Sequence, residues 1–349
     1  MVPAAHIFDG ASVEQLRRQR RWDPERIRRL RNALLKRFEP DAVARATLPP
    51  DAAIDLHTLS PHARHDSSVD GATKLILRNA ANLLLEAVVL RIASGRSTLC
   101  VSSQVGCAAA CRFCATGQMG MAKDLSTAEI LDQVVHGGQL LAAEGRTLRN
   151  IVFMGMGEPL HNEKNLYAAL DALLHPAWFH LPASKILVST VGVLEPMVRF
   201  AERFPDVGLA VSLHSVRTEV RERLIPLAKK NPLPELRRVL AELQRSQGRR
   251  VMLEYLMLDG VNDTPEDRAA LLDWTDGLDA HINLIPYNPI DGAPTLRPSA
   301  AAVGSEFAEA LKRAGRKTTV RRSLGRDIAA ACGQLVERDN LARLRSGPG

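Results

Sequence analysis

The 349-residue chain is 46% hydrophobic and 24% charged, a balance that excludes wholesale disorder. No apolar run reaches membrane-span length, since even 83–90 is interrupted by Glu86, and the opening MVPAAHIFDG lacks a basic segment followed by an apolar one. The net charge of +7 is uneven, with eleven Lys or Arg against six Asp or Glu in residues 1–50.

That basic field favours phosphate backbones, although a solvated helix face carries such charge equally well. With no secretory signal expected, the chain reads as cytoplasmic. Its five cysteines then read as metal ligands or catalysts rather than structural cross-links.

In chain order, residues 12–46 show helical periodicity broken at Asp23-Pro24, where Asp caps a second helix with Pro at its first position. Residues 47–72, rich in Pro, His, Asp and Ser, read as loop and complete a basic helical N-terminal domain, 1–72. Strands at 73–77 and 85–92, turned near 79–82, make a linking hairpin within 73–96. From 97 the rhythm changes. Strands at 98–103, 150–154, 185–189, 208–213, 250–256, 281–286 and 317–321 alternate with helices at 127–143, 163–174, 194–203, 234–246, 265–277 and 303–314. Repeated βα units imply a parallel sheet covered by helices, either doubly wound or curled into a barrel. A final helix at 325–338 carries Cys332 and closes the domain 97–340, and 341–349 reads as a frayed tail.

Ligand chemistry in such folds gathers at the C-terminal strand ends. QVGC (104–107), GMGEP (155–159), STVG (189–192), SLH (212–214) and YNP (287–289) all fall there. Cys107, Cys111 and Cys114 form C-x3-C-x2-C in one loop. An ordinary [4Fe–4S] cubane takes four cysteines, so three leave one iron open, and an open position is where a small molecule binds and reacts. A zinc site using these three with Cys100 or a histidine is the competing reading.

The spacing resembles that of the radical S-adenosylmethionine (SAM) superfamily, with Phe113 as the aromatic before the third cysteine. The resemblance implies a partial (β/α)6 barrel, a [4Fe–4S] cluster on Cys107, Cys111 and Cys114, and SAM on the free iron. Gly157 and Glu158 then hold the methionine amino group. Ser189, Ser212, Leu213, His214 and Asn288 line the cofactor rim.

Over 85–337 the chain further resembles the RlmN/Cfr RNA adenine methyltransferases, through TLCVSSQVGC (98–107), FMGMGEPL (153–160), NLIPYNP (283–289) and RRSLGRDIAAACGQL (321–335). Adenine carbons 2 and 8 are electrophilic and cannot attack a SAM methyl, whereas a thiolate can. The resemblance implies that Cys332 becomes S-methylcysteine, that a 5′-deoxyadenosyl radical activates its methyl, and that Cys100 releases the methylated base by forming a disulfide with Cys332. Glu86, a Glu inside an apolar run, is the expected proton acceptor, its pKa raised by desolvation. The implied partners are RNA (23S rRNA, with tRNA in the same family) contacted by the N-terminal domain, and an electron donor such as flavodoxin or ferredoxin, with the enzyme a monomer. Two other classes compete: a radical SAM enzyme acting on a peptide or metabolite, which would not need Cys100 and Cys332, and a zinc-stabilised RNA-binding protein without catalysis, which would hold no iron.

Overall fold

The computed structural model describes residues 5–248 and 250–335. Ten strands form one sheet: β1 (Ser60–Asp66), β2 (Ala72–Arg78), β3 (Leu84–Arg91), β4 (Ser97–Cys100), β5 (Asn150–Phe153), β6 (Ile186–Thr190), β7 (Gly208–Ser212), β8 (Val251–Met257), β9 (Ala280–Pro286) and β10 (Lys317–Val320). Their spatial order is their chain order. β1 to β4 pair antiparallel, and β4 to β10 pair parallel. The parallel crossovers carry the helices Thr127–Ala143, Glu163–Leu174, Leu194–Arg203, Leu233–Gln247, Pro265–Trp274 and Ala301–Arg313. Right-handed crossovers that always step the same way put every helix on one face. The other face is left as the interior of an open, partial (β/α)6 barrel.

Local chemistry fixes the elements. Ser126 and Glu129 form a capping box at the start of Thr127–Ala143, and Thr264 and Asp267 form one at Pro265–Trp274. Within Thr127–Ala143, a Cβ on Gly137 would meet Leu99 at 2.6 Å and one on Gly138 would meet Phe38 at 2.2 Å. The two glycines let the helix press on β4 from one side and receive the N-terminal segment on the other.

That segment contains the helices Gly10–Gln19 and Pro24–Arg31, the second capped by Asp23 with Pro24 at its first position. Its Val13, Leu30, Leu34 and Leu35 belong to the same buried cluster as barrel residues such as Val134 and Leu141. A second, smaller cluster packs Cys107 and Cys111 against Leu224, Ile225, Leu256 and Tyr287.

The structure corrects two expectations. The supposed loop 47–72 contains the short strand Ile54–Asp55 and the edge strand β1. The residues of β1, SPHARHD, are largely exposed. Charged, polar sequence of this kind protects an edge from mispairing and carries no apolar alternation to betray the strand. The helix expected at 325–338 is absent over its described part. Gly325, Ala329 and Gly333 take left-handed φ values of 75°, 50° and 84°, so the alanine run is broken by backbone geometry. Residues 336–338 and the tail 341–349 lie outside the described residues. Among the described residues no helix is long and apolar enough to cross a membrane.

A charged clasp ties the N-terminal segment to the barrel. His57 Nδ1 lies 2.7 Å from Asp132 Oδ1 and Nε2 lies 2.9 Å from Asp41 Oδ1. The other Asp132 oxygen accepts from the amides of Thr58 and Leu59. Burial alone would lower the pKa of His57, but Asp132 and then Asp41 outweigh it and raise the value to about 9. A raised folded-state pKa contributes stability that is complete below the unfolded value, about 6.5, and is lost as pH rises through 9. The melting temperature of His57→Gln should therefore fall below that of the unmutated protein at pH 6, and the gap should close by pH 10. A gap that stays constant with pH would contradict the charged clasp.

Candidate active site

The concave face of the sheet lines two adjoining cavities. Alternate residues point to this face, so Thr98 and Cys100 on β4, Leu187 and Ser189 on β6, and Met252 and Glu254 on β8 all contribute. The first cavity lies at the C-terminal strand ends and is lined by Cys107, Cys111, Cys114, Gly157, Glu158, Ser189, Ser212, His214 and Cys332, among others. The second adjoins it and is lined by Cys100, Asn283, Arg321 and Cys332, among others. Cys332 and Met154 belong to both walls.

The terminal segment reaches this position through bonds to the cysteine loop. Ala115 N donates to Gly333 O at 2.7 Å, and Thr116 Oγ1 donates to Leu335 O at 2.5 Å. All five cysteines are free. The Cys100–Cys332 disulfide implied by the sequence resemblance is thus not formed in this structure.

The first cavity has the chemistry of a site for a metal cluster and a cationic amine. Burial pushes the Cys107 thiol up to about 12 and raises Cys111 and Cys114 as well. Thiols so withdrawn give up their protons only to a strong local cation such as a metal. Among the described residues, the one trio of His, Cys, Asp or Glu ligand atoms mutually within 4.8 Å is His57, Asp132 and His136. At least one pair of the three sulfurs therefore stands more than 4.8 Å apart, wider than the roughly 3.8 Å between thiolates on a single tetrahedral zinc.

Glu158 is 2% exposed. Its Oε2 accepts from Val191 N at 2.8 Å and its Oε1 from Leu160 N at 3.1 Å. Burial outweighs these bonds and raises its pKa to about 7, so a bound ammonium would hold it ionised. Gly157 has φ 103°, and a Cβ there would meet Gln104 Cβ at 2.6 Å. Only glycine lets this turn pass so close to Gln104, whose side chain in turn accepts from Glu158 N at 2.9 Å.

His214 is kept neutral. Burial and then the Arg221 charge lower its pKa to about 3. Its Nδ1 accepts from Leu256 N at 3.1 Å, which leaves Nε2 as the donor. The Phe113 ring packs edge-on to it at 4.7 Å.

Most of the residues expected from sequence line one of these cavities, with three exceptions. Leu213 is buried behind the cavity and offers its carbonyl to Arg221. Asn288 serves the terminal segment, donating to Cys332 O at 3.1 Å and accepting from Arg326 at 2.8 Å. Glu86 is fully buried and lines neither cavity; it sits on β3, on the same face of the strand as Val88 and Leu90, which line the second.

Sequence reasoning missed Glu254 and Arg321. Glu254 accepts from Ser189 Oγ at 2.7 Å and Ser212 Oγ at 3.4 Å. Arg321 lies 3.9 Å from Glu254 Oε1 and 3.6 Å from Met154 Sδ. The pKa of Arg321 is raised, first by the Cys332 sulfur and then, against burial, by Glu254 and Cys100. The signal for Glu254 was available, since it is an acid inside an apolar strand just as Glu86 is. Burial, and secondarily Cys332, pushes the Cys100 thiol up to about 12, with Arg321 opposing.

Comparison with known proteins agrees with this geometry. The Radical SAM superfamily pattern matches residues 101–274. A probable RNA methyltransferase of Rhodopirellula baltica is 53% identical over 340 residues, 97% of this chain and 90% of the relative. A probable dual-specificity RNA methyltransferase RlmN of Frankia alni is 45% identical over 283 residues, 78% of this chain and 67% of the relative. The crystal structure of a radical SAM methyltransferase from Sphaerobacter thermophilus superposes with a TM-score of 0.86 at 34% identity, covering 95% of this chain and 98% of that one.

Proposed function

The chain belongs to the RlmN/Cfr family of radical SAM RNA methyltransferases, and from that premise we propose that it methylates ring carbon 2 or 8 of an adenine in 23S rRNA, and in tRNA, with Cys332 as methyl carrier. One observation carries this reading: Cys332 is common to the wall of the cavity holding the cysteine trio and the wall of the cavity holding Cys100. A methyl group borne on its sulfur would stand between a cofactor site and an acceptor site.

The roles of the protein's own groups follow. Cys332 Sγ attacks the methyl of SAM, and its new S–CH3 bond forms as the sulfonium–methyl bond breaks. Cys107, Cys111 and Cys114 would hold a [4Fe–4S] cluster, which with a second SAM supplies the carbon radical that takes a hydrogen atom from this methyl. The second cavity receives the adenine, flipped from its stack because a ring carbon is out of reach within it. The methylene radical so formed on Cys332 adds to the adenine carbon, making the C–C bond of a protein–RNA adduct; the odd electron leaves the adduct, for which the cluster would be the acceptor, and Glu86 takes the ring proton. The Cys100 thiolate then attacks the Cys332 sulfur: an S–S bond forms as the S–CH2 bond breaks, and the departing carbon takes up a proton, which completes the methyl group and frees the base. Arg321, close to both sulfurs and to Glu254, favours the thiolate that this attack requires. Reduction back to two thiols, the state seen here, readies the next turnover. Electrons come from a carrier such as flavodoxin or ferredoxin, and the enzyme works as a cytoplasmic monomer.

Mass analysis of ribosomal and transfer RNA from cells with and without the gene tests the proposal. Loss of 2-methyladenosine or 8-methyladenosine from the deletion strain is expected and would also identify the carbon. Unchanged levels of both would overturn the RNA assignment in favour of a peptide or metabolite substrate.

A further inference from the structure

Lys74 stands between the expected proton acceptor and the segment that carries Cys332. Strand register places it there. Lys74 lies opposite Val88 on β3, and Val88 lies opposite Cys100 on β4, so the three form a row on one face of the sheet. Val88 and Cys100 line the second cavity, which identifies that face. Glu86, two residues before Val88, shares it. Lys74 Nζ is 3.6 Å from Glu86 Oε1, with the two residues 8% and 0% exposed. The same Nζ donates to Ala329 O at 3.5 Å.

Ala329 is the left-handed residue three positions before Cys332, a backbone conformation that persists in a non-glycine residue only when its surroundings hold it. The hairpin preceding Lys74 grips the same segment. Asp70 accepts from Gly325 N at 2.8 Å, and Asp327 accepts from Ser67 Oγ at 2.8 Å and Ser68 N at 3.0 Å.

We propose that Lys74 is a positioning residue that couples the two halves of the reaction, holding Glu86 as a carboxylate while tethering the Cys332 segment through the Ala329 carbonyl. This rests on Glu86 being the acceptor of the ring proton. A cation beside a carboxylate withdrawn from water favours its charged form, and a carboxyl that already carries a proton cannot take another. In the deprotonation step the ring C–H bond breaks, its electron pair returns to the purine, and its proton passes to Glu86. Without the ammonium, that step slows while methyl loading of Cys332 proceeds. The tether adds order, because the ammonium that keeps Glu86 charged is also bonded to the docked segment.

The test uses the reconstituted full-length enzyme with 23S rRNA from a deletion strain. Three readouts are followed: S-methylation of Cys332 by peptide mass, protein–RNA adduct on denaturing gels, and methyladenosine in the RNA. Lys74→Met should load Cys332 as the unmutated enzyme does, accumulate adduct, and lose about 100-fold in methyladenosine formation, the scale of general-base catalysis. Lys74→Arg should restore a large part of turnover. Lys74→Gln keeps a donor for Ala329 O without the charge, so it should behave as Lys74→Met does and serves if that variant fails to fold. Full turnover in Lys74→Met or Lys74→Gln would overturn the proposal, as would loss of Cys332 loading without adduct, which would mark a purely structural role. Glu86→Gln distinguishes the premise: adduct accumulation there upholds it whatever Lys74 does, and full activity there refutes it independently.

Discussion

Replacing Cys332 with alanine is expected to abolish RNA methylation, by about 10³-fold or more, while leaving the iron content of the protein unchanged. The reason lies in the acceptor. An electron-poor purine carbon cannot displace a methyl from SAM, so without a sulfur at this point in the shared wall no carrier exists, and alanine supplies no lone pair. The bonds joining the cysteine loop to the terminal segment are made by the carbonyls of Gly333 and Leu335, not by that sulfur. Cys114→Ala should behave differently, losing iron and brown colour along with activity. Iron analysis beside an RNA methylation assay separates the two. Full methylation by Cys332→Ala would end the carrier role, and iron loss in that variant would make Cys332 a ligand instead.

The framework of this site was legible because its signals are local. C-x3-C-x2-C, the GMGEP turn and the βα alternation each occupy a few consecutive residues, and periodicity of 2 or 3.6 is set by neighbours in sequence. What was hidden depends on partners far along the chain. Lys74 reads as an ordinary strand lysine until register brings it beside Glu86. Asn288 looks like a cofactor ligand until Arg326 and Cys332 claim both ends of its amide. The segment 325–335 shows the strongest conflict. Its alanines favour helix, but three left-handed residues and the bonds from Asp70, Lys74 and Asn288 hold it as an irregular strap. Tertiary contacts override propensity here, in the segment that sets Cys332 in the wall shared by the two cavities.

Arg221→Met should cost about 4 kcal/mol or more in unfolding free energy, read from urea denaturation, and should weaken SAM binding with it. Arg221 is 1% exposed, on the helix Thr218–Leu224, and no motif drew attention to it. Its Nη1 donates to Ser212 O at 2.7 Å and to Leu213 O, and its Nη2 donates to Val191 O at 2.7 Å. One guanidinium thus pins two strand-end turns, those carrying Ser189 to Val191 and Ser212 to His214. Burial lowers its pKa to about 10, with the Cys111 sulfur opposing, so the group is still charged at neutral pH. Methionine would fill much of the volume but leave three carbonyls without their donor, and each lost bond to a buried charged partner costs roughly 1.5–3 kcal/mol, less than additively. Lysine keeps a charge but lacks the planar fork that spans both turns, so Arg221→Lys should fall between the two. If Arg221→Met proved as stable as the unmutated protein, water would have to reach those carbonyls, and the cofactor rim would owe its shape to something other than this side chain.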